Sequence, residues 1–173
     1  MVTNMMKKVG PNKNGLTKQG YYTLLHPEKY ALEDKRIIYR SSLEFRFCKI
    51  CDTSTKVIKW ASEPFFIQYQ HPFKKSKFDK KKPKTCKYYP DFYVELLHKG
   101  EVVKYVIEVK PISMLVKPPA LSKYASQNQI LNYNRKLQTV IINHAKKNAA
   151  QKYCNDRQVK YIFITESYFD NFK

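Results

Sequence analysis

Residues 88–111 read YYPDFYVELLHKGEVVKYVIEVKP, two β-branched and aromatic runs separated by His98, Lys99, Gly100 and Glu101. Runs of this composition predict strands, and Gly100 supplies the backbone freedom of a tight turn, so the segment predicts an antiparallel hairpin. Residues two apart in a strand share a face, which turns Glu108 and Lys110 one way and Ile107 and Val109 the other. Pairing of 91–96 with 102–109 brings Asp91, at the end of its strand, close to Glu108. Two carboxylates and an amine therefore converge among apolar neighbours, where unpaired charge is expensive.

The remaining chain must fold around this hairpin. The 173 residues suit one domain, and a hydrophobic fraction of 43% is enough for a core. Residues 1–20 are polar, glycine-containing and without periodicity, and predict a flexible basic arm; residues 21–173 form the single domain. Within it, YYTLLHPEKY predicts an extended or irregular lead. Ser41 or Ser42 can cap a helix that carries Leu43, Phe47 and Ile50 along one side and ends near Asp52. KVIKWAS and PFFIQYQHPF predict two strands. The stretch 74–87, KKSKFDKKKPKTCK, has eight lysines against one aspartate and predicts a protruding loop. After the hairpin, Pro111, Pro118 and Pro119 open a loop. Ile130, Leu137, Ile141 and Ala145 then recur near helical spacing and predict a long amphipathic helix. VKYIFIT predicts a closing strand. The whole reads as an α/β chain with a mixed sheet flanked by helices.

Thirty-three Lys and Arg against 14 Asp and Glu give a formal charge of +19. A polyanion would relieve that self-repulsion, and nucleic acid is the leading partner class. No apolar stretch has the length of a membrane span, and no basic amphipathic helix stands out as a surface anchor. The N-terminus has no apolar run of the secretory kind, and four cysteines are no disulfide framework, so an intracellular, reducing compartment is expected. Cys48 and Cys51 have finger-like spacing, but a closed zinc site needs two more ligands and only the isolated Cys86 and Cys154 remain as thiols. They predict helix residues facing the core, with no structural zinc.

The chemistry follows from the carboxylates. Asp91 and Glu108 with no arginine nearby would repel and take up a proton, whereas a hard divalent cation lets both stay ionised. Oxygen ligands favour magnesium, with manganese as a substitute, over zinc. Such an ion polarises a phosphoryl oxygen and acidifies a bound water, while Lys110 orients that water or stabilises the developing charge. The reaction class is phosphodiester hydrolysis. Lys74, Lys75, Lys77, Lys80, Lys81, Lys82, Lys84 and Lys87 are placed to contact the phosphates of double-stranded DNA, adding affinity without reading sequence. Arg40 and Ser42 either touch DNA or belong to a helix cap. Glu63, before a proline, and His71, near a strand end, read as structural.

"PD" followed after a hairpin by "EVK" resembles the PD-(D/E)XK nuclease superfamily, with Asp91, Glu108 and Lys110 at its motif positions. The resemblance implies a restriction-endonuclease-like core of order αβββαβ. It also implies a glutamate from the first helix, matched by Glu44 as a further catalytic and metal-associated residue, and the Val109 carbonyl as a metal ligand. YRSSLEFRFCKICD, VIKWASEPFFIQY, YYPDFYVEL and YVIEVKP, in this order, further resemble the head completion nucleases of T4-type tailed phages, related to TnsA-type transposition nucleases. TnsA-type enzymes have glutamine at the position of Glu108, so this chain departs toward the acidic form. The resemblance implies processing of packaged DNA ends, phage head, neck or terminase partners, and a host-cytoplasmic or virion-associated protein. A Holliday-junction resolvase, a TnsA-type transposition nuclease, and a non-catalytic basic DNA-binding virion protein are the rival readings.

Overall fold

A computed structural model describes residues 19–170. The predicted basic arm lies outside the described residues except at its end, where Gly20 already belongs to a strand. That strand, β1 (Gly20–Tyr22), pairs antiparallel with β2 (Ile37–Tyr39). A Cβ at residue 20 would stand 2.5 Å from the Tyr39 hydroxyl, so a larger residue there needs the end of the Tyr39 ring to swing aside. Helix α1 (Ser42–Thr53) follows, capped by Ser41, whose hydroxyl accepts from the Glu44 amide.

The central sheet has four strands in the spatial order β3 (Val57–Ser62), β6 (Phe92–His98), β7 (Glu101–Val109) and β8 (Lys160–Ile164). The first two junctions are antiparallel and the last is parallel, which makes the sheet mixed. The turn from β6 to β7 uses Lys99 and Gly100 at φ 52° and 85°, the two positive values that a tight primed turn needs to match strand twist. Between β7 and β8 the chain runs through helix α2 (Gln127–Asn155), opened by a reciprocal capping box between Ser126 and Gln129. A short α3 (Glu166–Asp170) closes the described residues.

Three expectations need correction. The lysine-rich segment 74–87 is loop only in its middle half: β4 (Ile67–Lys75) pairs antiparallel with β5 (Pro83–Tyr88), and residues 76–82 form the connecting tip. Like charges do not prevent this, because lysines on a two-stranded ribbon keep their ammonium groups in water while the backbone pairs. These two strands also form a sheet of their own rather than joining the central one. Tyr88 belongs to this ribbon, so the predicted strand through Pro90 and Asp91 is broken there and resumes at Phe92. Finally, α2 buries Val140, Asn143, Ala150 and Cys154, while Ile130 and Ile141 stay substantially exposed. The buried stripe is rotated because the face of α2 is chosen by what packs against it.

Two cores result. In the first, Phe92, Val94, Ile107 and Val109 of the sheet meet Phe47, Cys48 and Cys51 of α1, with Trp60 and Phe169 fully enclosed. In the second, Ile67, Tyr69 and Tyr88 of the ribbon pack on Ala150 of α2, with Tyr161 of β8 alongside. A buried carboxylate ties the N-terminal segment to the first core. Asp52 accepts from the Tyr22 hydroxyl at 2.9 Å and from the Leu25 and His26 amides at 2.7 and 3.0 Å.

Candidate active site

Phe92 pairs with Ile107 in the β6–β7 ladder, so one step further along the same register Asp91 faces Glu108. Side chains on β7 alternate, and Val109 turns into the first core while Glu108 and Lys110 take the opposite direction. The expected trio therefore meets. The Lys110 ammonium stands 3.3 Å from Asp91 Oδ2 and 3.0 Å from Glu108 Oε1. Asp91 Oδ2 also accepts from the Val109 amide at 2.8 Å, which locks its rotamer. Glu108 is the most enclosed of the three, with a side chain only 5% exposed, and its Oε2 is buried without a hydrogen-bond partner.

One ammonium thus serves two desolvated carboxylates, and the titration behaviour reflects that shortfall. Burial pushes Asp91 above the ordinary carboxylate range, against the pull of Lys110 and the Val109 amide. Burial and then the Asp91 charge push Glu108 up to about 7. Burial disfavours the Lys110 ammonium, yet Asp91 and Glu108 outweigh it and hold the amine protonated above its usual range. Tyr88 and Tyr161, 3.3 Å apart through their hydroxyls, are raised by burial and then by Glu108, and so form the apolar wall beside that carboxylate.

Glu44 sits at the start of α1. Burial raises its carboxyl, followed by repulsion from Asp91, so it belongs to the same electrostatic field. Each of its oxygens accepts one hydrogen bond: Oε2 from the Arg40 amide at 2.7 Å and Oε1 from the Ser41 hydroxyl at 3.0 Å. Among the described residues no group of three or more His, Cys, Asp or Glu side chains is placed to hold a metal ion. Each Glu44 oxygen keeps a second lone pair, so the cap leaves the expected metal-associated role of Glu44 open.

Glu63 is a component that the sequence reading set aside. It adopts φ 47°, uncommon for a residue with a Cβ, and its amide donates to the Asp91 carbonyl at 3.1 Å. Its carboxylate takes both ends of the Arg40 guanidinium at 2.6 and 3.1 Å. Arg40 and Glu63 thereby connect the start of α1 to the backbone that carries Asp91. Glu-Pro directly after a strand is the only sequence signal for this turn. Ser42 is exposed in the first turn of α1, and Ser41 is the cap. His71 is buried and accepts from the Phe73 and Lys74 amides through Nδ1, a structural use.

The lysines expected to contact DNA divide by position. Lys87 lies near the root of the ribbon with its ammonium 4.1 Å above the Phe66 ring. Lys74, Lys75, Lys77, Lys80, Lys81, Lys82 and Lys84 cluster toward the far end. The register breaks between His71 and Lys75, where four steps of β4 face one step of β5, so the paired ribbon is the five steps of β5, roughly 17 Å at the usual strand rise, with the tip beyond it.

A family model described as TnsA-like endonuclease N terminal matches residues 54–166, a span containing Asp91, Glu108 and Lys110 but not Glu44. The chain is also 28% identical over 140 residues to the head completion nuclease of Enterobacteria phage T4, covering 80% of this chain and 84% of that protein.

Proposed function

The chain belongs to the TnsA-like endonuclease N-terminal family, and on that premise we propose that it is a divalent-metal-dependent endonuclease that trims or processes DNA ends during phage head completion. The observation that carries the metal-dependent chemistry is the uncompensated pair: two buried carboxylates sharing one ammonium, with Glu108 Oε2 left without a partner. A buried anionic oxygen of that kind is costly unless a cation meets it. Asp91 and Glu108 suit magnesium by the hardness and charge of their oxygens, with the Val109 carbonyl as a neutral third donor. When bound there, magnesium or manganese supplies Lewis-acid activation of the scissile phosphate and of a water.

The chain's own groups do the rest. Asp91 is fixed by the Val109 amide and, through its backbone, by Glu63, so the carboxylate is preorganised. Lys110, held protonated, is positioned to hydrogen-bond the attacking water or to meet the charge growing on the phosphoryl oxygens. The Tyr88 and Tyr161 rings keep the Glu108 side dry, which strengthens each electrostatic interaction there. Glu44 acts at one remove, through its charge and by setting the first turn of α1. The biological setting, with head, neck or terminase proteins as partners in the host cytoplasm or virion, is supported by the likeness to the phage T4 protein.

The test uses purified protein on linear, circular and branched DNA with magnesium, manganese or chelator. Cutting is expected with either ion and not with chelator. Asp91→Ala and Lys110→Ala are expected to lose at least about a hundredfold in rate while still binding DNA. Wild-type protein that binds but never cuts, or an Asp91→Ala variant that cuts normally, would overturn the reading. Preference for four-way junctions would replace end processing with junction resolution.

A further inference from the structure

The tip of the β4–β5 ribbon takes no part in the chemistry above, and it carries a side chain that the fold does not explain. Phe78 has a relative exposure of 101%, so its ring serves neither core. Its backbone is nonetheless held. The Phe78 amide donates to Ser76 Oγ at 3.2 Å, and the Ser76 amide to the Lys82 carbonyl at 2.9 Å. The Lys82 amide donates to the Asp79 carbonyl at 3.0 Å, and the Lys81 amide to Asp79 Oδ1 at 2.9 Å. A closed set of hydrogen bonds thus presents the ring outward at the apex of a ribbon.

Single exposed apolar residues are common on protein surfaces, and it is the setting of Phe78 that is informative. Lys75, Lys77, Lys80, Lys81, Lys82 and Lys84 surround it, against Asp79, which is itself paired with Lys82 at 3.7 Å. An apolar groove on another protein with a neutral rim could accept the ring only by stripping water from these ammonium groups without replacing it. Duplex DNA satisfies both demands, because its phosphates pair with the lysines and its base stack offers an apolar slot. A hollow of about 520 Å³ adjoins the ring, lined by Phe78 itself and Pro83 together with Gln70, Lys77, Lys82 and Lys84, so apolar surface and ammonium groups meet at the tip.

We propose that Phe78 is a wedge that enters the base stack of bound duplex DNA, kinking it while the flanking lysines grip the phosphates on either side. The inference rests on the reading of DNA as substrate and adds to it a means of choosing where to bind. Apolar wedges unstack a base step at a cost that is lowest at pyrimidine–purine steps, so recognition acts through deformability and not through base edges. The paired part of the ribbon, measured along β5 from Tyr88 near Asp91 to Pro83, spans roughly 17 Å, and the tip lies beyond it. The kink is therefore expected at least about five base pairs from the cut, at 3.4 Å per pair.

The experiment uses the full chain, in chelator, on a duplex with 2-aminopurine at a central TA step and a fluorophore at each end. Wild-type protein is expected to raise the 2-aminopurine signal and shorten the end-to-end distance. Phe78→Ala should lose both and bind about tenfold more weakly, with an unchanged salt slope, since every lysine remains to meet a phosphate. Phe78→Trp should restore both signals. The ring touches nothing in the fold, so the variants are expected to keep wild-type stability. A Phe78→Ala variant that kinks and unstacks DNA like the wild type would overturn the wedge. Magnesium-dependent cutting without any kink would remove the wedge and leave the nuclease reading standing; a Phe78-dependent kink without cutting under any metal would do the reverse.

Discussion

Glu108→Gln should flatten the pH dependence of stability in the protein stripped of divalent ions. The Glu108 carboxyl, ordinarily near 4.5, is pushed up to about 7 by burial and by Asp91. Between those values the folded chain keeps a proton that the unfolded chain has released, so stability is full below about 4.5 and falls as pH rises through about 7. At roughly 1.4 kcal/mol per pH unit the loss is on the order of 3 kcal/mol, complete by about pH 8. Glutamine cannot ionise and escapes it. Trp60, the single tryptophan and fully buried, makes urea unfolding readable by fluorescence. Wild type should lose about 3 kcal/mol relative to the variant between about pH 5 and pH 8, and magnesium should recover part of that loss at the upper end only. The variant should gain much less from magnesium. If the two proteins lose stability in parallel across that range, Glu108 is not the stressed carboxylate described here.

Two further outcomes follow from the same structure. Asp52→Ala strands the Tyr22 hydroxyl and the Leu25 and His26 amides, and should cost about 3–5 kcal/mol in the same unfolding assay; a loss under about 1 kcal/mol would dismiss it as the tie for the N-terminal segment. Replacing Lys80, Lys81 and Lys82 with alanine should reduce the dependence of log affinity on log salt by about 0.9 for each phosphate that is no longer neutralised, measured by DNA-binding titration. An unchanged slope would place the phosphate-binding surface elsewhere on the protein.

The β6–β7 hairpin was legible because everything that specifies it is local: alternation along each strand, and Gly100 between them. The same two-residue period puts Glu108 and Lys110 on one side without any knowledge of the fold. Of the β4–β5 ribbon, β4 was legible in PFFIQYQHPF but β5 was not, since eight lysines read as a repelling loop until the pairing partner is known to leave their ends in water. The buried face of α2 was misjudged for a related reason. Ile130 and Ile141 fit a helical stripe, but the ribbon and β8 select Val140, Asn143 and Ala150 instead. Glu63 was passed over because its contribution is a backbone amide on Asp91 and a carboxylate on Arg40, partners 28 and 23 positions away.

Side-chain period and turn chemistry, which act over a few residues, were enough to set down the strands of the central sheet, β4, the helices α1 and α2, and the common direction of Glu108 and Lys110. Desolvation is a property of what closes over a group from distant parts of the chain. Only the packing of the sheet between α1 on one side and the ribbon with α2 on the other decided that Asp91 and Glu108 would share one ammonium and that Glu108 Oε2 would be buried alone. Charge separated by many residues in sequence becomes a strong interaction only when folding removes the intervening water.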